Sequence, residues 1–293
     1  MKPTLLQLIS EGKTLISDGA WGTFLQAKGL KSGECPEEWN ITHPDAVLAI
    51  AQSYIDAGAD TIETNSFGGN KFKLEGFGLE NEVYTLNRKA AELSRQAAGE
   101  DKYVLGSIGP TGVILMMGEL SEDDVYEAFK EQAIALYDGG ADALVIETMT
   151  ALDEAIIAVK ACRENTPCEV ICTMTFDYLQ TGEYRTMMGV SPAEMVLALK
   201  EAGAHVVGAN CSNGIEGMIN ITKEIRLADK NIPILIHANA GLPIFQDGKT
   251  IFPETPEMMA VFAKQLANVG ANIIGGCCGT TPEHISKLVE VLR

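Results

Sequence analysis

The chain has 293 residues, 46% of them apolar and 21% charged, which is the composition of an ordinary globular protein. Its apolar stretches are too short to span a bilayer and its N-terminus lacks a signal-peptide pattern, so we expect a cytoplasmic protein with no membrane partner. A formal net charge of -18 argues against a phosphate-binding surface, and therefore against a nucleic-acid partner.

Short apolar runs recur along the chain at fairly even spacing, and each has the length of a buried strand. There are eight of them: TLISDGA (14–20), TIETNSF (61–67), YVLGSIG (103–109), ALVIETM (143–149), EVICTMTF (169–176), VVGANCS (206–212), ILIHANAG (234–241) and NIIGGCC (272–278).

Helical patterns lie between these runs. Ser121, Ser191 and Thr255 are predicted N-caps, and the last two are followed by proline, which suits a first helical position. Each pattern ends at a glycine in one of the motifs AGAD, GGAD, AGAH or VGAN, which are typical of helix C-termini. The clearest helical segments are 44–60, 122–142, 191–205 and 255–272.

Strands that are apolar on both faces and alternate with helices indicate a parallel sheet. Eight such units predict an α/β fold, a (β/α)8 TIM barrel, and the absence of an internal repeat or linker predicts one domain over residues 1–293. An open doubly wound sheet is the alternative. It is less favoured because no G-x-G-x-x-G motif follows the first strand.

Polar residues collect where the predicted strands end. In a barrel, the carboxyl ends of all the strands meet at one rim, and that rim carries the active site. The candidates are Asp18, Glu63, Thr64, Asn65, Glu147, Thr148, Asn210, Cys211, Asn239, Cys277 and Cys278.

The seven cysteines divide into two groups, and an odd number without a secretory signal argues against structural disulfides. Cys211, Cys277 and Cys278 converge from strands six and eight, where glycines beside the adjacent pair allow unusual backbone angles. Three thiolates with an open fourth position are typical of a catalytic zinc site. A redox-active pair is the alternative for Cys277 and Cys278. The other cysteines are expected to be small core side chains: Cys35, Cys162, Cys168 and Cys172.

A zinc ion held by three thiolates carries a net charge near -1, which makes it a poor Lewis acid for water. It is better suited to binding a substrate thiol as thiolate, because metal coordination deprotonates a group that is mostly protonated at neutral pH. The sequence therefore points to alkyl transfer onto a thiol.

Five further residues are candidates for binding the rest of the substrate. Glu147 would accept a substrate ammonium, Asp18 with the Gly19–Ala20 backbone would position the same ligand, and Asn239 would orient it. Each also has a structural interpretation, as a capping, paired or turn-bracing side chain. His237 fits the core or a contact to a ligand-binding residue better than a zinc ligand, and Trp21 fits either the pocket mouth or a cover for the barrel end.

Several motifs together resemble the homocysteine S-methyltransferase family, most of all the homocysteine-binding barrel of cobalamin-dependent methionine synthases. The resemblance covers nearly the whole chain in order, and the cysteine motifs are the most specific part of it. The motifs are SDGAWGT (17–23), ETNSF (63–67), GSIGPTG (106–112), VIET (145–148), GANCSNG (208–214), NAGLP (239–243) and GGCCGTTPEHI (275–285).

The resemblance implies a (β/α)8 barrel in which Cys211, Cys277 and Cys278 hold one zinc ion that binds the homocysteine thiol. It also implies that Glu147 and the backbone around Asp18 to Ala20 hold the amino-acid part. The chain departs from the family at two positions that border the pocket: the family often has Met where Trp21 stands, and Tyr where His237 stands.

The sequence contains no D-x-H-x-x-G motif of a corrinoid carrier, and we expect this chain to bind no corrinoid itself. The resemblance therefore leaves two activities. One is methylation of homocysteine to methionine with a methylcorrinoid on a separate protein as donor. The alternative is a component methyltransferase that demethylates a methylated substrate and loads a corrinoid protein. A zinc-binding structural module is the non-enzymatic alternative.

Overall fold

The computed structural model describes residues 2–118, 120–246 and 249–293. Eight parallel strands form one sheet in the order β1-β8-β7-β6-β5-β4-β3-β2, with helices between them, so the predicted TIM-barrel fold is confirmed. Each predicted apolar run corresponds to one strand, and only the sixth strand extends beyond its run, by two residues. Their bounds are β1 Leu15–Ile16, β2 Thr61–Glu63, β3 Tyr103–Ile108, β4 Ala143–Met149, β5 Glu169–Met174, β6 Val206–Gly214, β7 Ile234–Asn239 and β8 Ile273–Gly276.

All four helical segments predicted from the sequence form helices, namely α4, α7, α9 and α11 in the numbering below. The side chains of Ser121, Ser191 and Thr255 accept hydrogen bonds from the first helical turn, as predicted for N-caps. The helices are α1 Leu5–Ser10, α2 Gly22–Lys28, α3 Trp39–Thr42, α4 Pro44–Asp56, α5 Lys71–Glu75, α6 Val83–Ala98, α7 Glu122–Asp138, α8 Leu152–Asn165, α9 Pro192–Ala202, α10 Ile215–Ala228, α11 Pro256–Asn268 and α12 Pro282–Leu292.

Asp60 closes the barrel between β1 and β2, which do not pair as a regular ladder. Its backbone N–H donates to the Ile16 carbonyl at 2.7 Å, and its carboxylate accepts from the Ile16 N–H at 3.0 Å. At the other end of the strands, the Asp18 carboxylate accepts from the Glu63 N–H at 2.9 Å. Two aspartates therefore supply hydrogen bonds that a longer β1 would have made with its backbone.

The core has two layers. The larger one fills the space between the strands and the helices, and the smaller one fills the barrel interior. Helix α1 closes the amino-terminal end of the barrel, where Leu5 and Leu8 join the interior layer. The carboxylate of Glu169, at the start of β5, accepts hydrogen bonds from the first N–H groups of α1 and so holds this helix against the barrel. The opposite end is left for the site.

Two short antiparallel hairpins extend the loops at the carboxyl end of the barrel, and the sequence analysis did not predict them. One follows β5 and pairs 177–178 with 184–185, and the other follows β7 and pairs 244–246 with 249–251. Both carry exposed apolar side chains, of which Tyr178 is 63% and Phe245 is 77% exposed. Among the described residues, no helix has the length and apolarity needed to cross a membrane.

Candidate functional site

Cys211, Cys277 and Cys278 come together at the carboxyl end of the barrel. Their three Sγ atoms all lie within 4.8 Å of one another, and each side chain is partly exposed. Cys211 belongs to β6 and the pair follows β8, with β7 between them. The three sulfurs that the sequence analysis assigned to one site therefore form one cluster, with the spacing that a single metal ion requires.

The backbone at both ends of the cluster leaves regular strand geometry. Cys211 and Ser212 have left-handed φ angles of 61° and 55°, where the pairing of β6 with β7 shifts register. After β8 the chain turns, because the Thr280 N–H and hydroxyl both bond to the Cys277 carbonyl. Gly279 has a φ of 80° in this turn, which glycine adopts without strain. The turn lets two adjacent cysteines face the same point.

The three thiols share hydrogen bonds. Hydrogen bonds from the Cys277 and Cys278 thiols to Cys211 lower the pKa of Cys211 to about 3. The same bonds to Cys211 raise the pKa of Cys277 well above its usual range and that of Cys278 to about 12. Without a metal, the cluster thus holds one thiolate and two thiols.

The remaining cysteines lie outside this cluster, in the core. Cys35, Cys162, Cys168 and Cys172 are all buried. Burial raises the pKa of Cys35 to about 12 and that of Cys168 to about 11, so these thiols stay protonated and unreactive near neutral pH.

The cluster opens onto a cavity of about 280 Å³ at the carboxyl end of the barrel. Most of the polar residues that the sequence analysis placed at strand ends lie on its wall. The lining consists of Gly19, Ala20, Trp21, Gly22, Leu25, Pro36, Glu37, Glu63, Thr64, Asn65, Ser66, Phe67, Ser107, Glu147, Thr148, Cys211, His237, Gly276, Cys277 and Cys278.

Glu147 contributes a buried carboxyl group to this cavity. It accepts a hydrogen bond from the Ser107 hydroxyl at 2.5 Å and one from the Asn210 amide at 3.3 Å. Burial and the nearby Glu63 raise its pKa well above the usual range. A cationic ligand beside Glu147 would oppose both effects and favour its ionised form.

Asp18, Glu63 and His237 form a second buried group of ionisable side chains. Asp18 accepts hydrogen bonds from Ser17, from the indole N–H of Trp21 and from the Glu63 N–H, the arrangement expected of a carboxylate. Burial, and secondly the Asp18 charge, raise the pKa of Glu63 well above its usual range. His237 Nδ1 lies 3.3 Å from Glu63 Oε1, and burial lowers the pKa of His237, so the imidazole is neutral.

Of the predicted substrate-binding residues, Gly19, Ala20 and Glu147 line the cavity. The Ala20 N–H donates a hydrogen bond to the Thr280 hydroxyl at 3.0 Å. The Asp18 carboxylate already accepts hydrogen bonds from Trp21, Ser17 and the Glu63 N–H. Asn239 is buried beside Cys211 and hydrogen-bonds to its sulfur, which contributes to the lowered pKa of Cys211. Their roles toward a substrate stay predictions.

Ser107, Pro36 and Glu37 are among the wall residues that the sequence analysis did not single out. Ser107 lies inside β3, Pro36 and Glu37 lie in the loop after α2, and none follows a predicted strand end. The Glu37 carboxylate accepts from the Gly68 N–H at 2.7 Å and from the Cys35 thiol at 3.3 Å. The bond to Gly68 joins two loops that are distant in sequence, and no local sequence pattern predicts such a contact.

The family model of homocysteine S-methyltransferases matches residues 15–292. The chain belongs to this family. This is the family that the sequence motifs resemble. The match includes every barrel strand and the three cysteines of the cluster.

Curated relatives include the methionine synthases of Mycobacterium tuberculosis and Mycobacterium leprae, each 31% identical to this chain over 98% of its length. The alignments cover 25% of those proteins, so the chain spans about a quarter of the length of the relatives it matches.

Solved structures with the same fold include the metallated form of the homocysteine methyltransferase MmuM from Escherichia coli. It has a TM-score of 0.79 and 23% identity, and the alignment covers 97% of this chain and 99% of that one. The carboxyl transferase domain of Rhizobium etli pyruvate carboxylase is more distant, with a TM-score of 0.56, 15% identity and coverage of 100% and 51%. Both likenesses support the barrel fold.

Proposed function

We propose that the chain is a methyltransferase that transfers a methyl group to the sulfur of homocysteine and so forms methionine. The observation that carries the proposal is a cluster of three thiols opening onto the same cavity as a buried carboxyl group. A substrate with a thiol at one end and an ammonium at the other matches these two features. The names of the curated relatives, methionine synthases, support the same product.

The donor set fits zinc. Three sulfurs within 4.8 Å of one another suit tetrahedral coordination, in which the protein supplies three ligands and leaves one position to the substrate. When bound there, zinc would lower the pKa of the substrate thiol and keep it as a nucleophilic thiolate. Cys211, Cys277 and Cys278 would then be three thiolates, so binding releases the protons that Cys277 and Cys278 hold without metal.

Two parts of the cavity wall would hold the amino-acid portion. Glu147 would accept hydrogen bonds from the substrate ammonium, and the backbone at Gly19 and Ala20 faces the same cavity. Trp21 fills the wall beside them, and its bond to Asp18 fixes the indole in place. These contacts orient the sulfur end of the substrate toward the thiol cluster.

We further propose that the methyl donor is a corrinoid carried by a separate protein. The resemblance of the sequence motifs to the homocysteine-binding barrel of cobalamin-dependent methionine synthases supports this donor. Exposed apolar side chains on the two hairpins at the carboxyl end of the barrel, such as Tyr178 and Phe245, offer a surface for such a partner. Free methylcobalamin is expected to be a poor substitute. Transfer from the carrier should slow as salt is raised, because a chain with a net charge of -18 selects its partner partly by charge.

The donor assay offers zinc-loaded protein and homocysteine four donors in turn: a methylcorrinoid carrier, free methylcobalamin, S-methylmethionine and glycine betaine. We expect methionine to form when the methylcorrinoid carrier is the donor, at a rate that falls as the salt concentration is raised. Efficient turnover with S-methylmethionine or betaine alone would contradict the corrinoid donor. Loading of a corrinoid protein from a methylated substrate, with no use of homocysteine, would instead indicate a component methyltransferase.

Metal binding is tested by three single variants, Cys211→Ala, Cys277→Ala and Cys278→Ala. Each should hold much less than the one zinc per chain expected of the parent, because two protein ligands are left. Cys172→Ala is the matched control, since this cysteine is buried in β5 outside the cluster. A variant that keeps its full zinc would remove that cysteine from the ligand set.

A further inference from the structure

Asn210 is completely buried below the cavity, and its side chain joins three strands. The amide oxygen accepts from the Thr148 N–H at 2.8 Å and from the Thr173 hydroxyl at 2.7 Å. The amide nitrogen donates to the Thr148 hydroxyl at 2.7 Å and to the Glu147 carboxyl group at 3.3 Å. These four bonds link β4, β5 and β6 at the level of the site.

The four bonds use the whole hydrogen-bonding capacity of an asparagine side chain, which has two donors and an oxygen with two acceptor sites. An aspartate would lose both donors and bring a second negative charge beside Glu147. A leucine of similar size would leave four buried polar groups without a partner, and such groups are costly to bury. Asparagine is therefore the one residue type of this size that fits position 210.

Asn210 connects the two functional parts of the cavity wall. On one side it holds Glu147 and fixes Thr148, whose left-handed φ of 61° is unusual for a β-branched residue. On the other side it precedes Cys211, which has the same unusual φ. The side chain that holds the Glu147 carboxyl group thus belongs to the residue next to the first sulfur of the cluster, and it ties β4 to β6 at that point.

We infer that Asn210 is a positioning residue that sets the spacing between Glu147 and the thiol cluster, and that this spacing selects homocysteine over cysteine. The inference rests on the proposed function. The two amino acids share the same head group and differ by one methylene between it and the sulfur. A fixed spacing accommodates one of these lengths, whereas a loosened one tolerates both.

The first test uses Asn210→Ala and measures the affinities of L-homocysteine and L-cysteine. Binding is followed with the cobalt-substituted protein, whose absorption changes when a thiol coordinates. The kcat/KM of the zinc form for each of the two amino acids is measured separately. One methylene is typically worth roughly 10–200-fold in discrimination, so the parent should prefer homocysteine by a factor in that range. The variant should lose about tenfold or more of this preference.

Asn87→Ala is the matched control. Asn87 is also completely buried, but it bonds to the carbonyls of Val83 and Gly69 and lies outside the cavity wall. This control should lower stability and leave the preference for homocysteine unchanged. Equal weakening of both ligands in Asn210→Ala would overturn the inference and leave Asn210 a purely structural role.

Thr173→Val decides the matter if Asn210→Ala does not fold. Valine keeps the shape of threonine and removes only the hydroxyl that donates to Asn210, and Thr173→Ser restores that hydroxyl. Thr173→Val should reduce the preference in the same direction and Thr173→Ser should restore it. An unchanged preference in Thr173→Val would overturn the inference. A parent protein that binds no homocysteine would instead contradict the proposed function.

Discussion

Glu147 offers the sharpest test of substrate binding at a single residue. A hydrogen bond between charged groups is worth roughly 1.5–3 kcal/mol, so Glu147→Gln should raise the KM for homocysteine by about ten- to a hundredfold. Zinc content should not change. Glu154→Gln is the control, because Glu154 is a buried carboxyl group bound to Thr111 outside the cavity wall. An unaltered KM in Glu147→Gln would leave Glu147 a structural role.

Glu63 should make the metal-free protein less stable as pH rises. Burial raises its pKa well above 4.5, so the folded chain keeps a proton that the unfolded chain releases. Its contribution to stability is complete below pH 4.5 and is lost as pH rises toward the raised pKa, at about 1.4 kcal/mol per pH unit. Glu63→Gln does not titrate, so its free energy of unfolding should exceed that of the parent by a margin that widens with pH.

The measurement is denaturant unfolding of both metal-free proteins at several pH values between about 5 and 8. Other ionisable groups are common to both proteins, and the pKa of Glu147 also responds to the charge at position 63, so the difference reports Glu63 together with its effect on Glu147. A constant difference across this range would show that Glu63 is ionised in the folded chain and would contradict the prediction.

Individual site residues were predictable where the barrel alone dictates their position. Cys211, Glu147 and the Cys277–Cys278 pair each follow a recognisable apolar run, and strand ends meet at one rim whatever the rest of the sequence. The role of Asn210 was not predictable. Its four hydrogen bonds go to three residues of two other strands. Such a network depends on the register of the strands and on the directions of the side chains, and neither can be read from a single sequence.

At the scale of elements, the closure between β1 and β2 lacks the regular ladder that joins the other neighbouring strands of the barrel. Asp60→Ala would leave the Ile16 N–H without its side-chain acceptor and remove the ion pairs to Lys102 and Arg293. A free energy of unfolding lower by about 1–3 kcal/mol is expected, because a donor at this closure loses its partner. Methyl transfer by the folded protein should be unchanged, since Asp60 lies at the opposite end of the strands.

Asp56→Ala serves as control, because Asp56 is exposed on α4 and its side chain bonds, among the residues that the structure describes, only to Gln52. A surface change of this kind usually stays within about 0.5 kcal/mol. Chemical denaturation of the three proteins gives the comparison. A loss in Asp60→Ala no larger than that of the control would mean that the backbone bond between β1 and β2 closes the barrel unaided.

Elements with strong periodicity were predictable, and elements held by tertiary contacts were not. The four clearest helices and seven of the eight strands lie inside the segments predicted for them, and β6 extends two residues past its segment. Apolar runs and capping residues are local signals, which is why these elements were predictable. The two hairpins were missed. Their strands have two or three residues, mostly with exposed side chains, and they lack the alternation by which longer strands are recognised.

For the whole molecule, zinc is expected to be needed for chemistry more than for folding. The thiol cluster lies at one rim, while the two apolar layers that stabilise the barrel extend through the rest of it. A chain of this length buries enough apolar surface to stay folded without a metal. Chelation should abolish transfer and leave the far-UV circular dichroism largely intact, and added zinc should restore activity. Global unfolding on chelation would indicate a structural metal site.

The pairing of β1 has a consequence for how the protein is made. Leu15 and Ile16 pair with Ile273 and Ile274, so the first strand has no partner on one side until the last strand is synthesised. At about 5–20 residues per second, that delay is ~10–50 s on the ribosome. The first N–H groups of α1 likewise have no carboxylate acceptor until Glu169 in β5 has been synthesised. Through most of translation the nascent chain therefore carries an apolar strand that lacks its partner from the last strand. A chaperone would bind the chain during this period.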